Sequence, residues 1–192
     1  MIKAALLAFT IVLAATPAKE NYDVKTDEST VNWIGKKVTG QHNGTISLTG
    51  GRLEIEDNKL VGGLFTIDMK TINCEDLSGG GKKKLEGHLR SDEFFGVEKY
   101  PVATFAITKA VPQGTDSYKI VGNMTIKDVT EEIQFPATVK VSSDGNLTAS
   151  ATVTIDRSKF NVRYGSGSFF DNLGDKTIYD NFDLEVSLVA AK

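Results

Sequence analysis

The sequence predicts an all-β protein whose antiparallel strands close into a barrel or split into a sandwich. Three observations carry that expectation. Runs of period-two alternation recur along most of the chain. Turn residues separate the runs at short intervals, as hairpins require. Asp, Glu and Lys occupy the polar face of these runs, which puts water outside, the reverse of a membrane-spanning barrel.

Met1 to Ala18 stands apart from this pattern. Lys3 is followed by the 12-residue apolar run Ala4 to Ala15 and by Thr16-Pro17-Ala18, the layout of a secretory signal peptide. The run is too short to span a bilayer as a helix. A buried N-terminal helix, the other reading, would need a polar face. No Cys follows the run, which argues against a lipid anchor. Cleavage after Ala18 would remove one lysine and leave 174 residues, moving the charge from −3 to −4. The expectation is one domain over 19–192, periplasmic or secreted, with no stable membrane insertion.

Short strands are expected over Thr30 to Val38, Thr45 to Leu48, Leu53 to Glu56 and Ala103 to Ala110. Longer alternation sets Phe65, Ile67 and Met69 on one face, then Ile120, Gly122, Met124 and Ile126. It continues through Ile133 to Val141, Leu147 to Ile155, and Phe182, Leu184, Val186 and Leu188. Turn signals lie at Gly50-Gly51, Asp57-Asn58, Gln113-Gly114 and Asp144-Gly145-Asn146. The count is eight or nine strands. Between Asp76 and Tyr100 the alternation fails. Leu85 and Leu89 at i,i+4 spacing read as a short helix after a Gly79-Gly80-Gly81 loop, and Ser91 as the cap of a following turn. Tyr164 to Lys176, Gly-rich and carrying Phe169-Phe170, is a second irregular stretch.

Composition and motifs exclude several functions. With 22 Lys+Arg against 25 Asp+Glu, the chain lacks the basic excess of a nucleic-acid binder. One cysteine, Cys74, rules out an intrachain disulfide, and Glu75 and Asp76 beside it oppose a thiolate. His42 and His88 are not spaced as metal ligands, so no metal and no cofactor are expected. Gly79 to Lys83 lacks the spacing of a phosphate loop, and Gly165 to Ser168 that of a nucleophile elbow. Asn43, Asn123 and Asn146 each begin an Asn-x-Thr triplet that a Thr-rich β protein matches by chance. No nucleophile–base pair can be named, so the chain reads as not an enzyme. Aromatic residues instead crowd the inner faces and the irregular stretches. An eight-stranded barrel either fills with such side chains or encloses one small ligand; small inward residues such as Gly122, Ala137, Ala149 and Ala151 would leave room.

The stretch His88-Leu89-Arg90-Ser91-Asp92-Glu93-Phe94-Phe95-Gly96, continued by Tyr100-Pro101-Val102-Ala103-Thr104-Phe105, resembles the signature of the YceI-like family. Gly122 to Thr130 and Asp156 to Val162 resemble two further motifs of that family, in the same order and spacing. Gly96 stands where the family has Asp, and Asp128 and Asn161 where it has glycines; Asp and Asn tolerate positive φ. The resemblance implies an extended, lipocalin-like barrel of eight antiparallel strands with a helical segment near 82–96. It also implies an exported, often dimeric protein whose apolar tunnel holds a polyisoprenoid or fatty acyl-type chain. It supplies no catalytic residues. Ligand contacts carry over as positions only, at Phe94, Phe95, Phe105, Met124 and Ile126. Alternation adds Phe65, Ile67, Met69, Phe135, Phe182 and Leu184. His88 and Arg157 are candidate partners for a polar head group, or else a helix-surface and a turn residue. A filled barrel acting through its surface is the rival expectation.

Overall fold

The computed structural model describes residues 18–142 and 144–192, so the expected leader, apart from Ala18, lies outside the described residues. Successive elements are β1 (Glu20–Val24), β2 (Thr30–Lys37), β3 (Gly40–Glu56), β4 (Lys59–Cys74) and α1 (Gly79–Arg90). After them come β5 (Val102–Pro112), β6 (Ser117–Ile126), β7 (Val129–Val141), β8 (Asn146–Asp156) and β9 (Ile178–Ala191). Around the wall the order is β2-β9-β8-β7-β6-β5-β4-β3, and β3 pairs with β2 to close it. Every pairing is antiparallel. β1 takes the place of β2 at one end, pairing Tyr22 with Leu53 on β3 and Val24 with Ala190 on β9. β1 and β2 are therefore two lengths of one stave, and nine strands make an eight-stave barrel.

Local chemistry explains where the staves bend. Asp57 and Asn58 both take positive φ, at 49° and 60°, and join β3 to β4 by a two-residue turn that follows the strand twist. Gly50-Gly51 is not the expected turn. It lies inside β3, where the register slips between Leu48 and Gly50, so the two short strands expected at Thr45–Leu48 and Leu53–Glu56 are one bulged strand. A bulge resets the alternation, which is why the pattern broke there. At the β6–β7 turn the positive φ (58°) falls on Lys127 rather than Asp128, whereas Asn161 does take it (59°).

Gly44 is required by packing. A Cβ there would overlap the Asn73 carbonyl oxygen and come within 2.8 Å of the Trp33 ring. Small size at Gly122 serves a similar end. The Phe105 ring fills the space a side chain would take, so this residue leaves no void.

The β7–β8 seam is incomplete. Only Ala137–Val141 pair with Leu147–Ala151, and the ladder stops at Pro136, which has no N–H to give. An outer groove of about 950 Å³ runs across this seam.

Helix α1 begins earlier and ends sooner than the 82–96 expectation. The three glycines form its first turn rather than a loop, and a run of turns covers 91–95. Ser91 closes the helix, its hydroxyl donating to His88 O (2.7 Å), and also opens the following turn, its carbonyl accepting from Phe94 N (3.0 Å) and Gly96 N (2.8 Å). Three contacts fasten the helix to the end of β4. Lys82 Nζ donates to Asn73 Oδ1 (2.7 Å), Cys74 N donates to Glu86 Oε1 (2.9 Å), and the Arg90 guanidinium donates to Ile72 O. Among the described residues, no helix is long and apolar enough to cross a membrane.

Candidate functional site

The barrel interior is divided. In the half away from α1, Phe65 stacks on Phe105 with centroids 6.3 Å apart, Phe135 tilts against Phe105 at 5.4 Å, and the three rings nearly fill the space. They leave an inner chamber of about 100 Å³, lined also by Ala137, Ala149 and Ala151. Beneath α1 the barrel is hollow, with an outer chamber of about 450 Å³. That volume lies within the range of ligand sites. Val31, Ile67, Met124 and Leu184 border both chambers and form the constriction between them.

All eleven residues expected at the ligand face this interior. Met69, Phe94, Phe95, Ile126 and Phe182 line the outer chamber, and Phe65, Phe105 and Phe135 line the inner one. Ile67, Met124 and Leu184 stand at the constriction. Strand alternation brings the β residues together because each points inward from its own stave. Phe94 and Phe95 arrive by another route. The turn after α1 folds back, with Phe95 N donating to Leu89 O (3.2 Å) and Val97 N to Arg90 O (2.9 Å), so both rings meet the barrel mouth. The second aromatic doublet does not join them. Phe169 and Phe170 are 41% and 50% exposed and line neither chamber.

Several lining residues were not singled out in advance. Trp33 sits between Gly44 and Leu184 on β2, with its indole N–H donating to Thr45 O (3.2 Å). Alternation from Val31 through Trp33 to Gly35 could have found it. Tyr164 comes from the irregular β8–β9 connection, which carries no periodic signal, and Ile178 and Tyr179 are the first two residues of β9.

Both candidate polar partners line the outer chamber. Arg157 is more than a turn residue. Only 2% exposed, it donates to Val162 O (2.9 Å), Ile178 O (3.0 Å) and Tyr179 O (3.2 Å), tying the connection to β9. Its guanidinium also lies over Phe94, 5.3 Å from the ring centroid. Burial pulls its pKa below the usual range, and Asp180 and Asp156 oppose that pull. His88 packs edge-on against Tyr164 (4.3 Å) and Phe94 (5.3 Å), and its Nε2 is buried without a hydrogen-bond partner.

At the rim His42 Nδ1 meets Asp76 Oδ2 at 2.7 Å. Partial burial pushes the Asp76 carboxyl up, but hydrogen bonds from His42, the Asn43 N–H (3.0 Å) and the Cys74 thiol (3.2 Å) outweigh it and hold the pKa at about 2. Burial, then the Asp76 contact, pushes the Cys74 thiol up, so it stays protonated. Asp76 separates Cys74 from His42, and no thiolate–imidazole pair forms. Among the described residues, no group of three or more His, Cys, Asp or Glu could hold a metal ion.

An eight-stave antiparallel barrel with an apolar chamber under one helix defines a lipocalin-like class of protein. The chain belongs to the YceI-like family, whose domain model matches residues 22–190. A UPF0312 protein of Pectobacterium carotovorum is 35% identical over 114 residues, covering 52% of this chain and 58% of that protein. A UPF0312 protein of Staphylococcus aureus is 29% identical over 117 residues, 58% of this chain and 62% of its own length. The chain thus spans less than two thirds of the length of these curated relatives. Among solved structures, Burkholderia cenocepacia BcnA superposes with a TM-score of 0.71 at 24% identity, covering 88% of this chain and 99% of that one. A polyisoprenoid binding domain from Saccharophagus degradans gives 0.63 at 16% identity, covering 88% and 97%. At these identities the likeness speaks to the fold.

Proposed function

We propose that this protein takes one long apolar chain into its barrel and carries or sequesters it without chemical change. The observation that carries this reading is the pair of apolar chambers joined at the Val31, Ile67, Met124 and Leu184 constriction. At about 30 Å³ per water-sized group, the outer chamber takes about fifteen such groups. That suits a fatty acyl chain or a few isoprene units. Each buried methylene contributes about 0.8 kcal/mol, so shape and burial suffice for affinity without many hydrogen bonds.

The Saccharophagus degradans neighbour, described as polyisoprenoid binding, supports the same class of ligand. Export through the N-terminal leader would place the protein where such chains pass between membranes. Solvent extraction of the native purified protein followed by mass spectrometry tests the proposal, together with uptake of fatty-acid and isoprenoid probes by the stripped protein. A stoichiometric apolar molecule is the expected result. No extract and no uptake would leave the chambers as mere packing defects and refute it. Light scattering on the same sample decides the homodimer that family resemblance implies.

A further inference from the structure

The outer chamber is apolar inside but cationic at its rim. Lys36, Lys37, Arg157 and Lys176 line it against one carboxylate among the described residues, Asp175. This happens in a chain whose net charge is −3. Two of the four cations are compensated elsewhere, Lys36 by Asp183 at 2.9 Å and Arg157 by Asp180 at 3.4 Å. Lys37 and Lys176 have no ion-pair partner among the described residues.

His88 adds a second kind of unmet demand. Its Nε2 is buried and unpartnered, and Glu93 Oε2 at 3.5 Å is too far for a good hydrogen bond. Buried polar atoms are normally satisfied, and His88 is a lining residue of the chamber, so its ring gains the missing partner by turning Nε2 toward a group held there. On β3, beside the Lys37 end of β2, Asp76 engages His42 Nδ1, which leaves that ring's Nε2 as a further polar atom of the lining residues. Uncompensated cations and an orphaned imidazole above an apolar well match a molecule with a charged oxygen head and a hydrocarbon tail.

Resting on the reading above, we propose that the cargo is a single-chain amphiphile with an anionic head, a carboxylate or a phosphate. Lys37, Lys176 and His88 hold the head at the rim, and the tail enters the chambers. Such a ligand docks tail first and stops where the charge meets the rim. A cationic head is repelled there, and a neutral one leaves the lysines unanswered.

The test is a head-group series on one tail, measured on the stripped full-length protein below micelle-forming concentrations. The series is myristate, tetradecyl phosphate, tetradecanol and tetradecyltrimethylammonium, with Trp33, the chain's one tryptophan, as reporter. The two anions are expected to bind about tenfold tighter than the alcohol. That preference should shrink between 0.1 M and 1 M salt as the screening length falls from about 10 Å to about 3 Å. In K37Q/K176Q the ratio of anion to alcohol affinity should fall toward one, and H88F should lower it independently.

The anion that wins by the larger factor tells a carboxylate from a phosphate source. Equal affinity for tetradecanol and myristate overturns the anionic head but leaves the carrier reading intact. Binding of none of the four overturns both. Inorganic phosphate that binds as tightly as tetradecyl phosphate also overturns the proposal, because the anion site would then owe nothing to the tail.

Discussion

Met124 stands at the constriction, so replacing it with tryptophan separates a chambered barrel from a filled one. The inner chamber beyond it holds about 100 Å³. At about 30 Å³ per group that is room for about three methylenes, worth about 2.4 kcal/mol at 0.8 kcal/mol each. An indole at position 124 takes that room. Octadecanol, long enough to reach past the constriction, should then bind about fiftyfold more weakly, whereas dodecanol, which ends in the outer chamber, should lose little. Because the indole enters space that is already empty, the stability cost stays near the low end of overpacking, about 1 kcal/mol, or roughly 2–4 °C in Tm. Isothermal titration against the two alcohols and a thermal melt give all three numbers. The same loss for both alcohols, or a melt lowered by about 3 kcal/mol with binding unchanged, would falsify the picture of two joined chambers.

Three further outcomes follow from the geometry. Gly44→Ala drives a Cβ into the Asn73 carbonyl and the Trp33 ring. The urea midpoint should fall by the equivalent of about 3 kcal/mol with an unchanged slope, and a wild-type midpoint would show that β3 and β4 are not so close. Arg157→Lys cannot reach the Val162, Ile178 and Tyr179 carbonyls together. Leaving them unmet should cost about 3 kcal/mol, and a Tm within 1–2 °C of wild type would remove Arg157 as the tie of the β8–β9 connection. Asp76→Asn tests the rim. Asp76 is ionised in the fold down to about pH 2 but protonates near 3.8 when unfolded, so its contribution is present above pH 3.8 and disappears as pH falls through 2. Wild type and Asp76→Asn should therefore differ in urea midpoint at pH 6 and converge near pH 2; a gap that persists at pH 2 has another origin.

Much of the wall was legible in the sequence because strand alternation has a period of two and reports directly which side chains share a face. Phe65, Ile67 and Met69 were read as one inward row of β4, and Met124 with Ile126 as one inward row of β6; the structure has both. Legibility failed where the backbone leaves the ladder. The bulge at Leu48/Gly50 turned one long strand into two short ones, since an extra residue inverts the pattern after it. The connection from β8 to β9 has no period at all. Nothing local said that Tyr164 would stand against His88 while Phe169 and Phe170, a few residues on, would face solvent.

By itself the chain determined its strands, most of their inward residues and its kinship, since these depend on local alternation and on motifs contiguous in sequence. Tertiary structure decided how the interior is shared out. Phe105 fills the space over Gly122, the three phenylalanines close one half of the barrel, and the helix roofs a hollow in the other. Volume left over is a property of how side chains from different staves meet, and no single stave records it. The same holds for the cationic rim. Lys37 and Lys176 are remote in sequence and line one chamber only in the folded barrel.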